Sequence, residues 1–224
     1  MLPVIEVRRH SAHAPWTYEA LDRYQRRLAA ALSSSPDQPS QPGRILLSEL
    51  APVITLGRRE CSQDLILPQH ELESRGVSIF PTDRGGRATY HGPGQWVVFV
   101  VDRLDRMTGD RRGVRRAVEG LLDAARAVGE VFLGPEVSVK DGAETGVWTP
   151  RGKLASVGVH IERGVLLHGL AINGFRTPES FLGLRPCGLD AQVDFLMGEP
   201  DERRFLSVQE HLIAELRRHF WIQG

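Results

Sequence analysis

The chain of 224 residues is long enough to bury one sizeable hydrophobic core, and nothing in its length requires a second domain. Its 28 lysines and arginines balance 28 aspartates and glutamates, so the formal net charge is zero and a strongly basic nucleic-acid-binding surface is not expected. The basic run at residues 110–116 is interpreted as the solvated face of a helix.

The cysteine content and the distribution of apolar residues indicate where the protein works. Only two cysteines occur, Cys61 and Cys187, without the close spacing of zinc ligands or the density of a disulfide framework, so a reducing compartment is expected. The N-terminal segment lacks an apolar stretch of signal-peptide length, and no run of about 18 apolar residues occurs. We therefore expect a cytoplasmic protein that does not associate with membranes.

The first third of the chain predicts strands around one helix. Residues 2–7 predict a strand, residues 34–43 a Pro/Ser-rich surface loop, and residues 44–50 a second strand. Residues 17–33 predict an amphipathic helix, because apolar side chains recur at helical spacing. These side chains are Tyr18, Leu21, Tyr24, Leu28 and Ala31.

The middle of the chain continues the mixture of strands and helices. Residues 52–57 and 77–80 predict short strands, and the uninterrupted apolar run at 95–101 is typical of a strand buried on both faces. Residues 111–128 predict a helix whose apolar face carries Val114, Val118, Leu121, Ala125 and Val128. Because the elements interleave without a regular βαβ repeat, we expect an α/β (α+β) fold, a mixed sheet packed with helices, in a single domain over 1–224.

A last helix is predicted near the C-terminus. Ser207 and Glu210 have the spacing of a capping box, in which each side chain bonds a free backbone N–H of the first turn. Apolar residues follow at helical spacing, namely Leu212, Ile213, Leu216 and Phe220. The helix is therefore expected to begin at Ser207.

A β-hairpin is predicted between residues 153 and 173. Two β-patterned runs, 153–161 and 165–173, are separated by "ERG", whose glycine suits a left-handed turn position. If the hairpin closes symmetrically about Arg163, Lys153 lies opposite Asn173. A bulge at the turn glycine would shift this register by one residue.

Lys153 ends an apolar row on this hairpin, with small residues on the facing strand. An ammonium at the margin of an apolar surface loses solvation, which lowers its pKa and suits proton transfer. Alternatively, the side chain is an ordinary strand-end lysine that points into water. The apolar row consists of Ala155, Val157 and Val159, and the small residues are Gly169 and Ala171, which leave room for a ligand.

Cys187 lies in a rigid turn sequence, between Pro186 and Gly188. A nucleophilic thiol with an accessible backbone amide beside it would suit this setting. The alternative is a small buried hydrophobic residue. Cys61 has no comparable turn residues around it and is interpreted as structural or incidental.

The glycine-rich segment at 83–101 matches neither the Walker nor the dinucleotide-binding phosphate motif. Its histidine, His91, suits either a general base or a structural role. His160 and His168 have the spacing of no standard metal motif.

Five motifs in this order resemble the lipoyl (octanoyl) transferases, and the resemblance covers roughly residues 45–190. They are "TLGRRE" (55–60), "TDRGGRATYHGPGQ" (82–95), "GVW…GKLASVGVHI" (146–161), "HGLAIN" (168–173) and "PCG" (186–188).

The resemblance implies an acyl transfer in two halves. Such enzymes move an octanoyl group from octanoyl-acyl carrier protein onto a cysteine and then onto a lysine of lipoyl domains, in 2-oxoacid dehydrogenases or in the glycine-cleavage H protein. It implies the fold of biotin protein ligases and lipoate ligases, and neither a cofactor nor a metal.

Carried over by motif, Cys187 is the nucleophile, and Lys153 lowers the pKa of its thiol and shuttles protons. The implied substrate-binding residues are Arg84, Gly85, Gly86, Arg87, Ala88, Thr89, Tyr90, His91, Ser156, Val157, Gly158, Gly169, Leu170 and Ala171.

The sequence departs from the family pattern after Cys187. Relatives commonly carry a Thr-Ser pair where this chain has Val193 and Asp194. Two other functions remain open: an ATP-dependent lipoate or biotin ligase, whose adenylate motifs are not evident, and a binding module without activity. The presence of both Lys153 and Cys187 argues against the binding module.

Overall fold

The computed structural model describes residues 2–33, 41–59, 62–185 and 192–221. Within these residues the chain forms ten strands and five α-helices. The strands are β1 (Val4–Arg9), β2 (Arg44–Glu49), β3 (Val53–Leu56), β4 (Ser78–Pro81), β5 (Thr89–His91), β6 (Gln95–Arg103), β7 (Ser138–Lys140), β8 (Gly146–Thr149), β9 (Gly152–Glu162) and β10 (Val165–Asn173). The helices are α1 (Tyr18–Ser33), α2 (Gln69–Ser74), α3 (Leu104–Thr108), α4 (Val114–Leu133) and α5 (Glu202–His219).

Seven strands form a large mixed sheet in the order β1-β2-β6-β10-β9-β8-β7. The β1–β2 pair is parallel, and the other neighbours are antiparallel. Helices α4 and α5 pack on one face and α1 on the other, and each face has its own hydrophobic core. Strand β6 lies near the centre and is buried from Gln95 to Asp102. The predicted mixed sheet, the buried strand and the first helix are confirmed.

A second, three-stranded sheet in the order β4-β3-β5 carries the glycine-rich loop, residues 82–88. Its small core includes Ile54, Leu72 of α2 and Tyr90. The loop crosses onto the large sheet, where the Gly85 N–H donates to the carbonyl of Val159 at 3.0 Å. The glycine-rich segment therefore joins the two sheets.

The register predicted for the hairpin is wrong by one residue. The turn contains two residues, Arg163 and Gly164, with φ of 49° and 79°. Two left-handed residues match the twist of the flanking strands and close a tight hairpin, so Glu162 pairs with Val165. In the resulting register Ala155 pairs with Ile172 instead of Ala171.

The start predicted for the last helix is also wrong. Helix α5 begins at Glu202, because the side chain of Asp201 caps it and accepts a hydrogen bond from the N–H of Arg204 at 3.0 Å. Ser207, the predicted cap, lies inside the helix. Among the described helices, none is both long and apolar enough to cross a membrane.

Candidate active site

A cavity of about 280 Å³ lies where the glycine-rich loop meets β9 and β10. Apolar side chains of the sheet, among them Val97, Phe99 and Leu170, form part of its lining. Lys153 also lines it, as do all the predicted substrate-binding residues except Tyr90. The ring of Tyr90 packs on the other side of β5, in the core of the small sheet. The structure thus brings residues from four separate sequence motifs to one cavity.

Glycines allow the loop and the strands around this cavity to approach closely. A Cβ atom on Gly57 would lie 2.3 Å from the carbonyl oxygen of Gly86, and one on Gly158 would lie 2.8 Å from that of Gly85. A Cβ atom on Gly169 would lie 2.2 Å from the carbonyl oxygen of Val98. Backbone therefore fills the space that the sequence suggested at Gly169, and the glycine is needed because β6 packs against it.

Lys153 is buried at the edge of the cavity, with 4% of its surface exposed. Its Nζ donates a hydrogen bond to the carbonyl of Thr145 at 2.8 Å and lies 5.4 Å from the centroid of the Trp148 ring. A Cβ atom on Gly146 would lie 2.5 Å from Lys153 Cε. The glycine of the "GVW" motif therefore makes room for the lysine, a role that sequence reasoning missed.

A bulge separates Lys153 from Ala155, the nearest member of the apolar row in which the sequence placed it. The pairing of β8 with β9 shifts by one residue between Val147 and Trp148. Leu154 and Ala155 both belong to the large core, whereas Lys153 lines the cavity together with Ser156, Val157 and Val159. An extra residue in one strand re-aims the side chains that precede it, which explains the difference.

The predicted nucleophile, Cys187, lies outside the described residues, which resume at Gln192. The chain that follows it is held against Lys153. The Lys153 N–H donates to the carbonyl of Gln192 at 2.9 Å, and the Asp194 N–H donates to the carbonyl of Lys153 at 3.0 Å. Val193 and Lys153 form a parallel β-bridge. The segment after the cysteine is therefore in register with the backbone of the lysine.

Asp194, at the position where the sequence departs from the family pattern, anchors this segment. Its buried carboxylate accepts hydrogen bonds from Thr149 Oγ1, from Arg151 Nε at 3.0 Å and from the Phe195 N–H at 2.8 Å. The carboxylate thus links the returning chain to the β8–β9 turn.

A relay of amide side chains connects the backbone of Lys153 to His91. Asn173 Nδ2 donates to the carbonyls of Asp194 at 3.0 Å and of Lys153 at 3.3 Å. Gln95 Nε2 donates to Asn173 Oδ1 at 2.9 Å. The Gln95 amide oxygen is thereby left to accept from His91 Nδ1–H at 2.7 Å. Sequence reasoning assigned no role to Gln95 and gave Asn173 only a place in the register.

His91 is a neutral hydrogen-bonding group. Burial, together with the positive charge of Arg84, lowers the pKa of His91 to about 3. Because Nδ1 carries the proton, Nε2 is a hydrogen-bond acceptor at the cavity lining. A histidine whose pKa lies this far below physiological pH is a weak base, so His91 suits a hydrogen-bonding role better than that of a general base.

His168 forms a second buried network on the cavity wall. Its φ of 61° is left-handed, and its N–H donates to Gln25 Oε1 at 2.8 Å. His168 Nε2–H donates to Asp83 at 2.9 Å, and Nδ1 accepts from the Tyr18 hydroxyl at 3.1 Å. Burial outweighs the Asp83 carboxylate and lowers the pKa of His168 to about 4. The strained backbone and satisfied ring are typical of a functional site.

The rings of His91, Tyr18 and His168 are nearly parallel. Tyr18 lies 5.6 Å from His91 at 11° and 6.4 Å from His168 at 15°, measured between ring centroids and planes. These rings form one rigid side of the cavity.

Comparison with known proteins identifies the family to which the chain belongs. The family described as the lipoyl protein ligase A/B catalytic domain matches residues 21–216. An octanoyltransferase of Geobacter metallireducens is 33% identical over 190 residues, which cover 82% of this chain and 80% of that protein. Lipoate-protein ligase A bound with ATP has the same fold, with a TM-score of 0.68 at 12% identity over 98% of this chain and 85% of that one.

Biotin protein ligase from Aquifex aeolicus also shares the fold, with a TM-score of 0.51 at 11% identity, covering 98% of this chain and 69% of that one. The predicted ligase-like fold is thereby confirmed. The chain belongs to the lipoyl protein ligase A/B catalytic-domain family and, within it, to the octanoyltransferases, which are acyltransferases.

Proposed function

We propose that this protein transfers an octanoyl group from octanoyl-acyl carrier protein to a specific lysine of lipoyl domains, through a thioester on Cys187. The acceptors are E2 subunits of 2-oxoacid dehydrogenases and the glycine-cleavage H protein. One observation carries the proposal beyond family membership. The chain that returns from Cys187 is hydrogen-bonded on both sides of Lys153, at the edge of a partly apolar cavity.

In the first half-reaction the Cys187 thiolate attacks the thioester carbonyl of the donor. A carbon–sulfur bond forms to Cys187, the donor's carbon–sulfur bond breaks, and the pantetheine thiol leaves with a proton. One thioester replaces another of similar energy, so this step depends on positioning more than on driving force.

In the second half-reaction the ε-amine of the acceptor lysine attacks the acyl-Cys187 carbonyl. An amide bond forms, the carbon–sulfur bond to Cys187 breaks, and the amine loses a proton. We assign the proton transfers in both halves to Lys153, whose buried ammonium also stabilises the thiolate of Cys187.

The apolar part of the cavity suits the alkyl chain. Val97, Phe99 and Leu170 line it and are themselves almost fully buried. Each methylene transferred from water to such a surface contributes about 0.8 kcal/mol, so an eight-carbon chain gains more than a shorter one.

The test is a search for the covalent intermediate. The protein is mixed with octanoyl-acyl carrier protein without ATP, and its intact mass is measured. An octanoyl adduct is expected on the unchanged protein and on Cys61→Ser, the control cysteine variant, but not on Cys187→Ser. An adduct that persists in Cys187→Ser would remove this cysteine from the mechanism, and an absolute requirement for ATP would favour a ligase.

Lys153→Met tests the assignment of the proton transfers. It keeps most of the side-chain volume and removes the ammonium, so both half-reactions are expected to slow by roughly 10²- to 10⁴-fold. A near-normal rate in either half, measured by rapid-quench mass spectrometry, would contradict the assignment for that half.

A further inference from the structure

The cavity lining is positively charged although the chain as a whole has no net charge. Arg59, Arg84, Arg87 and Lys153 line the cavity, and no aspartate or glutamate is among the lining residues that the structure describes. An octanoyl chain is uncharged and gains nothing from these cations. Arg87 is paired with Asp64, and Lys153 is assigned to the proposed thiolate, so the charge of Arg59 is the part of the lining that points to an anionic part of a ligand.

Two neighbouring arginines, Arg58 and Arg59, extend this charge to the mouth of the cavity. Both side chains are exposed, and Arg59 also contributes to the lining. Within the described parts of the chain, neither guanidinium forms a salt bridge with a carboxylate. Arg87, by contrast, is paired with Asp64 at 2.7 Å.

The backbone of this arginine pair is held in place although the side chains are exposed. The Arg58 N–H donates to the carbonyl of Arg84 at 3.0 Å, and the Arg59 N–H donates to that of Gly86 at 3.1 Å. Gly57 permits this contact, since a Cβ atom there would lie 2.3 Å from the Gly86 carbonyl oxygen. The "TLGRRE" motif thus presents two guanidinium groups from a fixed backbone beside the substrate loop.

Guanidinium groups in such a position suit a phosphate. Each offers a planar fork of N–H donors that matches two oxygens of a phosphate, and a fixed backbone lowers the entropy lost on binding. A phosphodiester outside the cavity mouth would also lie in the field of the lining cations.

We propose that Arg58 and Arg59 bind the phosphodiester of the phosphopantetheine arm that carries the donor's acyl thioester. This inference rests on the proposed octanoyl transfer, because it assumes a donor of that class. The acyl chain enters the cavity, the thioester lies near its edge, and the arm leaves through the mouth past the two arginines.

A binding experiment tests the site without requiring turnover. The affinities of 4′-phosphopantetheine and of pantetheine are measured by calorimetry on Cys187→Ser protein, which cannot be acylated at that position. The phosphorylated compound is expected to bind about tenfold more tightly, and Arg58→Ala/Arg59→Ala should abolish this preference. Arg203→Ala is the matched control, because Arg203 is exposed on α5, outside the cavity lining.

A kinetic experiment distinguishes the phosphate from the surface of the carrier protein. Acylation of Cys187 is followed with octanoyl-acyl carrier protein, octanoyl-phosphopantetheine and octanoyl-pantetheine. The double arginine variant should raise KM about tenfold for the two phosphate-bearing donors and leave octanoyl-pantetheine unchanged. The effect should shrink at high salt, because the site is exposed.

Several outcomes would contradict the proposal that Arg58 and Arg59 bind the phosphodiester. These are equal binding of the two pantetheine compounds to the otherwise unchanged protein, a preference that survives in the double variant, or a kinetic loss confined to the carrier protein. Equal loss with octanoyl-pantetheine would instead assign the arginines to the acyl end. A retained phosphate preference without any acyl-Cys187 would reject octanoyl transfer and leave the anion site standing.

Discussion

Replacing Asn173 with leucine is expected to destabilise the fold and to slow acyl transfer, although the asparagine is neither of the two proposed catalytic residues. Leucine has a similar size but cannot hydrogen-bond. The substitution removes the donor to the Asp194 carbonyl and the acceptor of the Gln95 amide, both in buried positions. The relay from Lys153 to His91 would be interrupted at its centre.

The magnitude follows from the partners left behind. An unsatisfied buried donor or acceptor costs about 1–3 kcal/mol, so two of them predict a loss of about 3 kcal/mol in the free energy of unfolding. The expected loss of rate comes from a displacement of the Lys153 backbone. Asn173 also bonds the Lys153 carbonyl at 3.3 Å, and a displacement of about 1 Å in a catalytic group can cost roughly 10²-fold in rate.

Urea denaturation measures the free energy of unfolding. Rapid-quench mass spectrometry, in the absence of urea and at a temperature at which the variant is folded, measures the rate of Cys187 acylation. Gln95→Leu and the double variant complete a thermodynamic cycle. Because Asn173 and Gln95 are direct partners, the two losses should fall short of additivity by about 0.5–3 kcal/mol. A loss below about 0.5 kcal/mol for Asn173→Leu, or strict additivity, would refute the relay.

Three further predictions follow from the site. Gly146→Ala is expected to lower both the stability and the activity. The φ of 153° at Gly146 disfavours a side chain, and a Cβ atom there would lie 2.5 Å from Lys153 Cε. A fully active and equally stable variant would contradict this prediction. The free energy of unfolding should fall as pH decreases from about 6.5 to about 4, because His91 and His168 stay neutral in the folded protein and take up protons in the unfolded chain. Urea titrations at several pH values should show a weaker pH dependence for His91→Asn. An unchanged dependence in this variant would exclude His91 as its source. Asp194→Ala should lower the acylation rate more than it raises KM for the donor, since the carboxylate holds the chain beside Lys153; the opposite split would assign Asp194 to donor binding.

Local patterns were sufficient for elements whose burial shows in their own residues. The helix at residues 17–33 and the buried strand at 95–101 were both predicted, because helical spacing and an uninterrupted apolar run are properties of a short segment. Helix α5 begins five residues before the start that the sequence predicts. Its cap is Asp201, and the capping-box spacing at Ser207 recurs by chance inside the helix.

The set of residues that line the cavity was also largely predictable, but the predicted reasons for individual residues were not always right. The motifs carried by resemblance place Arg84, His91, Lys153 and Ser156 at one cavity, and the structure brings them together. The sequence pattern predicts open space for a ligand at Gly169, whereas this glycine accommodates the backbone of β6. A sequence shows that a side chain is absent but not what occupies the place.

The sequence by itself determined the family signature, the mixed sheet and the candidate pair Lys153 and Cys187, because each depends on residue identity and local order. Only the tertiary structure decided that a bulge turns Lys153 into the cavity, that Gly146 makes room for it, and that Asn173 joins it to His91 through Gln95. These contacts connect strands far apart in sequence. Their geometry depends on how the strands pair, and a shift of one residue in that pairing reverses the face on which every side chain lies.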